Sequence, residues 1–145
     1  MASANRKNIG KTFVIIGLMF LPFAYSNFAL TAFPSDALPD YIKNHFIREI
    51  IFGITLTVGT IFLTLKPLSL KTFKQITLFG SIVVLPFWVS WLLGWTVGGM
   101  EAVWGNTIAL NDAYFIHIPQ VLFFFAGLAL LWSEVRLQES LSTPP

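Results

Sequence analysis

The stretch FIREIIFGITLTVGTIFLTL, residues 46–65, determines the class of this protein. Its length of about 20 residues matches the thickness of the hydrocarbon core of a bilayer when the chain is helical. Lys66-Pro67 follows directly, and proline cannot continue a helix. The stretch shows no alternation of apolar and polar residues, so we expect a transmembrane helix and not a strand.

Three further apolar runs accompany this stretch, at about residues 12–33, 75–98 and 116–133. The first follows Arg6, Lys7 and Lys11 but is longer than the apolar part of a signal peptide, so we expect it to be retained as a helix. The fourth begins beside Pro119, which the first turn of a helix tolerates. The sequence therefore predicts an all-α membrane protein, a four-helix transmembrane bundle that occupies residues 1–145 as a single domain.

The composition agrees with a lipid environment and narrows the possible functions. Of the 145 residues, 55% are hydrophobic and 11% are charged, and the mean hydropathy is +0.72. Soluble domains carry about 25% charged residues. The chain has no cysteine, which excludes disulfides, thiolate metal sites and cysteine nucleophiles. The few basic residues are not interleaved with aromatic residues on a polar face, so we expect no nucleic-acid binding.

The distribution of basic residues predicts the orientation of the bundle. Cytoplasmic loops of membrane proteins carry an excess of Lys and Arg. One side has seven of these residues and the other side has only Lys43 and Arg48. We therefore expect both termini and the middle loop in the cytoplasm. The small size, the lack of cysteine and the lack of an organelle signal favour a multi-pass protein of a bacterial plasma (inner) membrane. The seven residues are Arg6, Lys7, Lys11, Lys66, Lys71, Lys74 and Arg136.

Small residues at helical spacing predict the surfaces through which the helices pack. Residues three and four apart lie on one face of a helix, and small residues allow membrane helices to approach closely. The second span carries Gly53, Thr57 and Thr60 in this pattern, and the third span carries Ser90, Gly94 and Gly98.

A group of polar residues near the predicted outer ends of the helices is the candidate site. Two histidines with several carboxylates could bind a metal or perform acid-base chemistry, and His45, Glu49 and His117 are the candidate metal ligands. The spacing matches no known metal motif, so a solvated outer rim is the favoured explanation of the same residues. The candidate outer pocket consists of His45, Glu49, Glu101, Asp112 and His117.

The sequence indicates no particular cofactor and no catalytic residue, which favours a protein that is not an enzyme. We expect a small polytopic protein that acts by association, as an accessory subunit of a membrane complex or as a homo-oligomer. Its partners would be the lipid bilayer and other membrane subunits or further copies of itself. The alternative is a membrane enzyme or binding protein whose outward-facing pocket takes a metal or a lipid-like ligand.

Overall fold

A computed structural model describes residues 2–32, 40–86, 89 and 117–142. These residues form four helices and no strand, which confirms the all-helical prediction and gives a helix count that fits a four-helix bundle. The helices are α1 (Ala2–Ala32), α2 (Asp40–Leu65), α3 (Leu70–Val84) and α4 (Ile118–Ser142).

Two of these helices are long and apolar enough to cross a membrane. They are Ile47–Leu65 within α2 and Ile118–Ser142, which is α4, and each contains an 18-residue stretch with a mean hydropathy of 1.6. This property depends on length and composition alone, and the core helix of a soluble protein can have it as well.

The turn between α2 and α3 is short and well defined. α2 ends before Pro67, and the backbone N–H of Lys66 donates to the carbonyl of Leu63 at 3.2 Å. Ser69 caps α3, because its hydroxyl oxygen accepts a hydrogen bond from the Thr72 backbone N–H at 3.1 Å. This bond satisfies one of the N–H groups that the first turn of a helix leaves without an intrahelical partner. α3 therefore begins immediately after α2 and runs back alongside it.

A close contact joins the backbones of α1 and α4. A Cβ atom added to Gly17 would lie 2.7 Å from the backbone nitrogen of Phe124. A Cβ atom added to Gly127 would lie 2.7 Å from the backbone nitrogen of Val14. Such distances are shorter than real Cβ contacts, so only glycine fits at both positions. The absence of side chains lets the two helices approach closely and gain dispersion contacts along their length.

The ring of Phe124 connects this helix pair to α3. Phe124 is fully buried, and its ring edge lies directly against Gly80 of α3, where a Cβ atom would overlap the ring. Three helices thus meet around one aromatic side chain. The other buried apolar residues of this core cluster are Val14, Leu18, Ile76, Val83, Val84, Leu128 and Leu131.

α2 packs against α1 and α3, and three of its threonines face the interior. Thr57, Thr60 and Thr64 are at most 1% exposed. Phe52 and Phe62, on other faces of the same helix, are each 65% exposed. The described part of the bundle therefore buries hydroxyl groups and presents large apolar side chains on its outside.

Polar contacts fix the end of the bundle where α1 begins. The ammonium group of Lys11 donates to the carbonyls of Leu65, at 3.3 Å, and Lys66, at 2.6 Å. Burial lowers the pKa of Lys11, and the nearby charge of Lys7 lowers it further. Between α1 and α4, Arg6 Nε lies 3.7 Å from Oε1 of the buried Glu134. We call this end the basic end, and it carries Arg6, Lys7, Lys11, Lys66, Lys71, Lys74 and Arg136.

We predict that Gly17→Ala lowers the free energy of unfolding by about 1–3 kcal/mol, because the new methyl group must push α1 and α4 apart. Chemical denaturation of the purified protein in mild detergent measures this change. Gly59→Ala is the matched control, since a Cβ atom there meets nothing within 4 Å. The control should leave stability unchanged or raise it by up to about 1 kcal/mol, the helix-propensity gain. Equal effects of the two substitutions would contradict the close contact.

Candidate functional site

The structure describes two side chains of the candidate outer pocket, and it places them differently. Glu49 is exposed on α2, whereas His117 is 7% exposed at the start of α4. The side chain of His45, together with Glu101 and Asp112, lies outside the described residues. Within the described residues, no group of three or more His, Asp or Glu side chains is placed to hold a metal ion. The outer metal pocket thus stays a prediction.

His117 has a buried hydrogen-bond partner that the sequence analysis did not identify. Its Nδ1 lies 3.1 Å from Oε1 of Gln120, and the Gln120 residue is only 1% exposed. The backbone carbonyl of Gln120 faces the Cα of Gly17, so the close approach of α1 covers this part of α4. The spacing of three residues was the available signal, because it places both side chains on one face of the helix.

The buried threonines of α2 differ in whether their hydroxyl groups have a hydrogen-bond partner. Thr60 donates to the carbonyl of Leu56 and Thr64 donates to the carbonyl of Thr60, each at 2.8 Å. This bond to the preceding turn is common for hydroxyl groups inside helices. Thr57 Oγ1 is equally buried, but no hydrogen-bond partner for it lies within the part of the chain that the structure describes.

Gln120 Nε2 is a second buried polar atom for which the described residues provide no hydrogen-bond partner. Thr57 lies on α2 and Gln120 on α4. The two residues thus bring unpaired polar atoms, as judged among the described residues, into the interior from two different helices.

A groove on the outside of the bundle is the other candidate site. It lies between α2 and α3, has a volume of about 240 Å³ and is almost entirely apolar. Gly59 lies in it with open space over its Cα, unlike Gly17, Gly80 and Gly127, which neighbouring helices cover. We call it the lateral groove, and it is lined by Phe52, Thr55, Leu56, Gly59, Thr60 and Leu63 of α2 and by Phe79 of α3.

The residues expected to pack helices together are described only on α2. Gly53, Thr57 and Thr60 are buried there, while Ser90, Gly94 and Gly98 lie outside the described residues. The glycines that bring α1 and α4 together are not among the predicted packing residues. Gly10 and Gly17 are two helical turns apart and share a face of α1, and this spacing was the available signal.

Comparison with known proteins adds no further assignment. No protein-family model matches the sequence, and no curated protein and no solved structure matches it. The class of the protein therefore rests on its own features: an all-helical chain in which two helices are long and apolar enough to cross a membrane.

We predict that Thr57→Val raises the free energy of unfolding by about 1 kcal/mol, because the substitution removes a buried hydroxyl group that has no described partner. Thr64→Val is the matched control, since it deletes a hydroxyl that does make a bond. The control should be neutral or slightly destabilising. Denaturant titration of both variants in the same detergent gives the comparison. A loss of stability in Thr57→Val would show that its hydroxyl already has a partner.

Proposed function

We propose that this protein acts by association within a membrane, as an accessory subunit of a membrane complex or as a homo-oligomer. Its contact surface is the lateral groove between α2 and α3, which receives a transmembrane helix. Its partners are the surrounding lipid and other membrane subunits or further copies of itself, and nucleic acid is not among them.

The distribution of polar and apolar side chains supports insertion into a membrane. Soluble monomers rarely expose large continuous apolar patches. Here Leu78 is 59% exposed, Leu122 64% and Phe52 65%, whereas Thr57 and Gln120 are at most 1% exposed. Lipid contact stabilises the first group, and the bundle interior shields the second from hydrocarbon. This arrangement supports four spans, in which the apolar runs at about residues 12–33 and 75–98 cross the bilayer together with α2 and α4.

The charge distribution supports an orientation with both termini in the cytoplasm. The basic end holds seven Lys and Arg residues, and Lys43 and Arg48 lie near the start of α2, toward the opposite end. An excess of Lys and Arg is typical of the cytoplasmic side. We extend this proposal to the plasma (inner) membrane of a bacterium, as expected from the sequence.

The open Cα of Gly59 is the observation that carries the association proposal. Glycines on membrane helices permit close contact with a neighbour, and in this bundle Gly17 and Gly127 are used in that way. Gly59 offers the same possibility, but no helix of the described chain covers it. Phe52 and Leu63 extend the apolar surface one turn or more on either side. A helix from outside the chain would gain close packing there without displacing any side chain that the structure describes.

We predict that Gly59→Leu abolishes the association, because the added side chain fills the groove without disturbing the fold of the monomer. Native mass spectrometry after purification in mild detergent measures the assembly. The wild type should give a fixed assembly, either a multiple of the 16.2 kDa chain or a complex with one partner of constant stoichiometry. The Gly59→Leu variant should give the free chain with unchanged helix content.

A cross-linking experiment provides the control, because the chain has no cysteine and an introduced thiol is the only one. Phe52→Cys places a thiol at the groove, and Leu122→Cys places a thiol of similar exposure, 64% against 65% for Phe52, on α4. Oxidation in membranes should link copies through the first position and not through the second if the protein is a homo-oligomer. A monomeric wild type without a fixed partner would overturn the proposal for both kinds of association.

A further inference from the structure

The basic end of the bundle contains cations that join two helices and other cations that lie exposed on a single helix. Lys11 donates to two carbonyls at the end of α2, and Arg6 faces the buried Glu134. Both contribute to holding the helices together. Lys74 and Arg136 are instead exposed, the first near the start of α3 and the second near the end of α4. Lys66 and Lys71 are exposed as well, and Lys74 and Arg136 are the two that adjoin Phe73 and Trp132, the aromatic pair between α3 and α4.

An aromatic contact brings the helices that carry these two cations together. The rings of Phe73 and Trp132 lie 5.3 Å apart, centroid to centroid, with an interplanar angle of 33°. Phe73 directly precedes Lys74 in the chain. The guanidinium carbon of Arg136 lies 5.6 Å from the centre of the Trp132 ring, a distance typical of a cation-π contact. The seam between α3 and α4 thus holds Arg136 over the Trp132 ring, and Lys74 follows Phe73, whose ring contacts the same indole.

The surface next to this seam changes from charged to apolar within one or two helical turns. Leu78 lies one turn beyond Lys74 on the same face of α3 and is 59% exposed. Phe125 lies two turns from Trp132 on α4 and is 40% exposed. Trp132 itself is 41% exposed, and tryptophan prefers the region between hydrocarbon and headgroups. From the basic end, the surface thus presents cations, then tryptophan, then apolar side chains. This order matches the charged headgroup, the glycerol backbone and the acyl chains of a phospholipid.

We propose that the seam formed by Lys74, Trp132 and Arg136 is a binding site for an anionic phospholipid. The two cations hold the headgroup phosphate, the indole of Trp132 lies at the level of the glycerol backbone, and the acyl chains run along Leu78 and Phe125. The proposal rests on the membrane insertion proposed above and is independent of the lateral groove. Juxtamembrane Lys and Arg residues attract anionic lipids, and an arginine matches the geometry of a phosphate group.

Native mass spectrometry of the full chain in detergent tests the site. Phosphatidylglycerol and phosphatidylcholine with identical acyl chains are added separately, and the number of retained lipids is compared. The wild type should retain phosphatidylglycerol preferentially, and this preference should weaken at high salt because charges produce it. Each exposed cation near a membrane surface contributes about fivefold to the binding of an anionic lipid. The double variant Lys74→Gln/Arg136→Gln should therefore reduce the preference by roughly 25-fold.

The double variant Lys43→Gln/Arg48→Gln is the matched control, because it also removes one lysine and one arginine, from a different part of the bundle. It should change the preference by less than about twofold, since screened surface charges act over only a short range. Equal effects of the two double variants would show that net charge alone matters and would overturn the site. Equal retention of the two lipids by the wild type would overturn it as well.

Inorganic phosphate distinguishes a lipid site from a simple anion site. Lipid retention that persists when phosphate is added in large excess supports a site that also binds the acyl chains. Complete displacement by phosphate would mean that the seam binds free anions, contrary to the proposal. A failure of membrane insertion is recognised separately, because the protein would then be recovered from the soluble fraction after cell lysis.

Discussion

The close backbone contact between α1 and α4 is the constraint on which the rest of the described structure depends. In a lipid environment, helices gain little from hydrophobic burial against each other, so close packing must supply much of the attraction. Gly17 and Gly127 allow that packing because neither has a side chain to separate the backbones. The contact also fixes the register that brings Arg6 opposite Glu134 and places Phe124 against Gly80 of α3.

The inside of the bundle holds polar side chains, and its outside is largely apolar. Thr60 and Thr64 satisfy their hydroxyls within α2, whereas Thr57 and Gln120 bring hydrogen-bonding atoms into the interior without a described partner. Polar groups in the interior favour a specific helix arrangement only when they are satisfied. The outside, in contrast, offers apolar surfaces and one open glycine, which suits contacts with lipid and with other helices.

The two proposals use separate parts of this surface, and the difference follows from charge. The lateral groove is almost entirely apolar and lies along the middle of α2 and the half that leads to the basic end, where a neighbouring helix gains from close packing. The seam at the basic end combines Lys74 and Arg136 with Trp132, a combination suited to a charged headgroup. A protein that associates through one surface and binds lipid through the other needs no catalytic residue for either task.

The sequence by itself determined the helical class, the end of α2 at Lys66-Pro67 and the accumulation of basic residues at one end. These features are local, because apolar runs, helix stops and charge counts depend on neighbouring residues in the chain. Only the tertiary structure decided that Gly17 is covered and Gly59 is open, and that Gln120 pairs with His117. A glycine has the same local chemistry at either position. Its role depends on which helix lies against it, and that is set by packing between segments far apart in sequence.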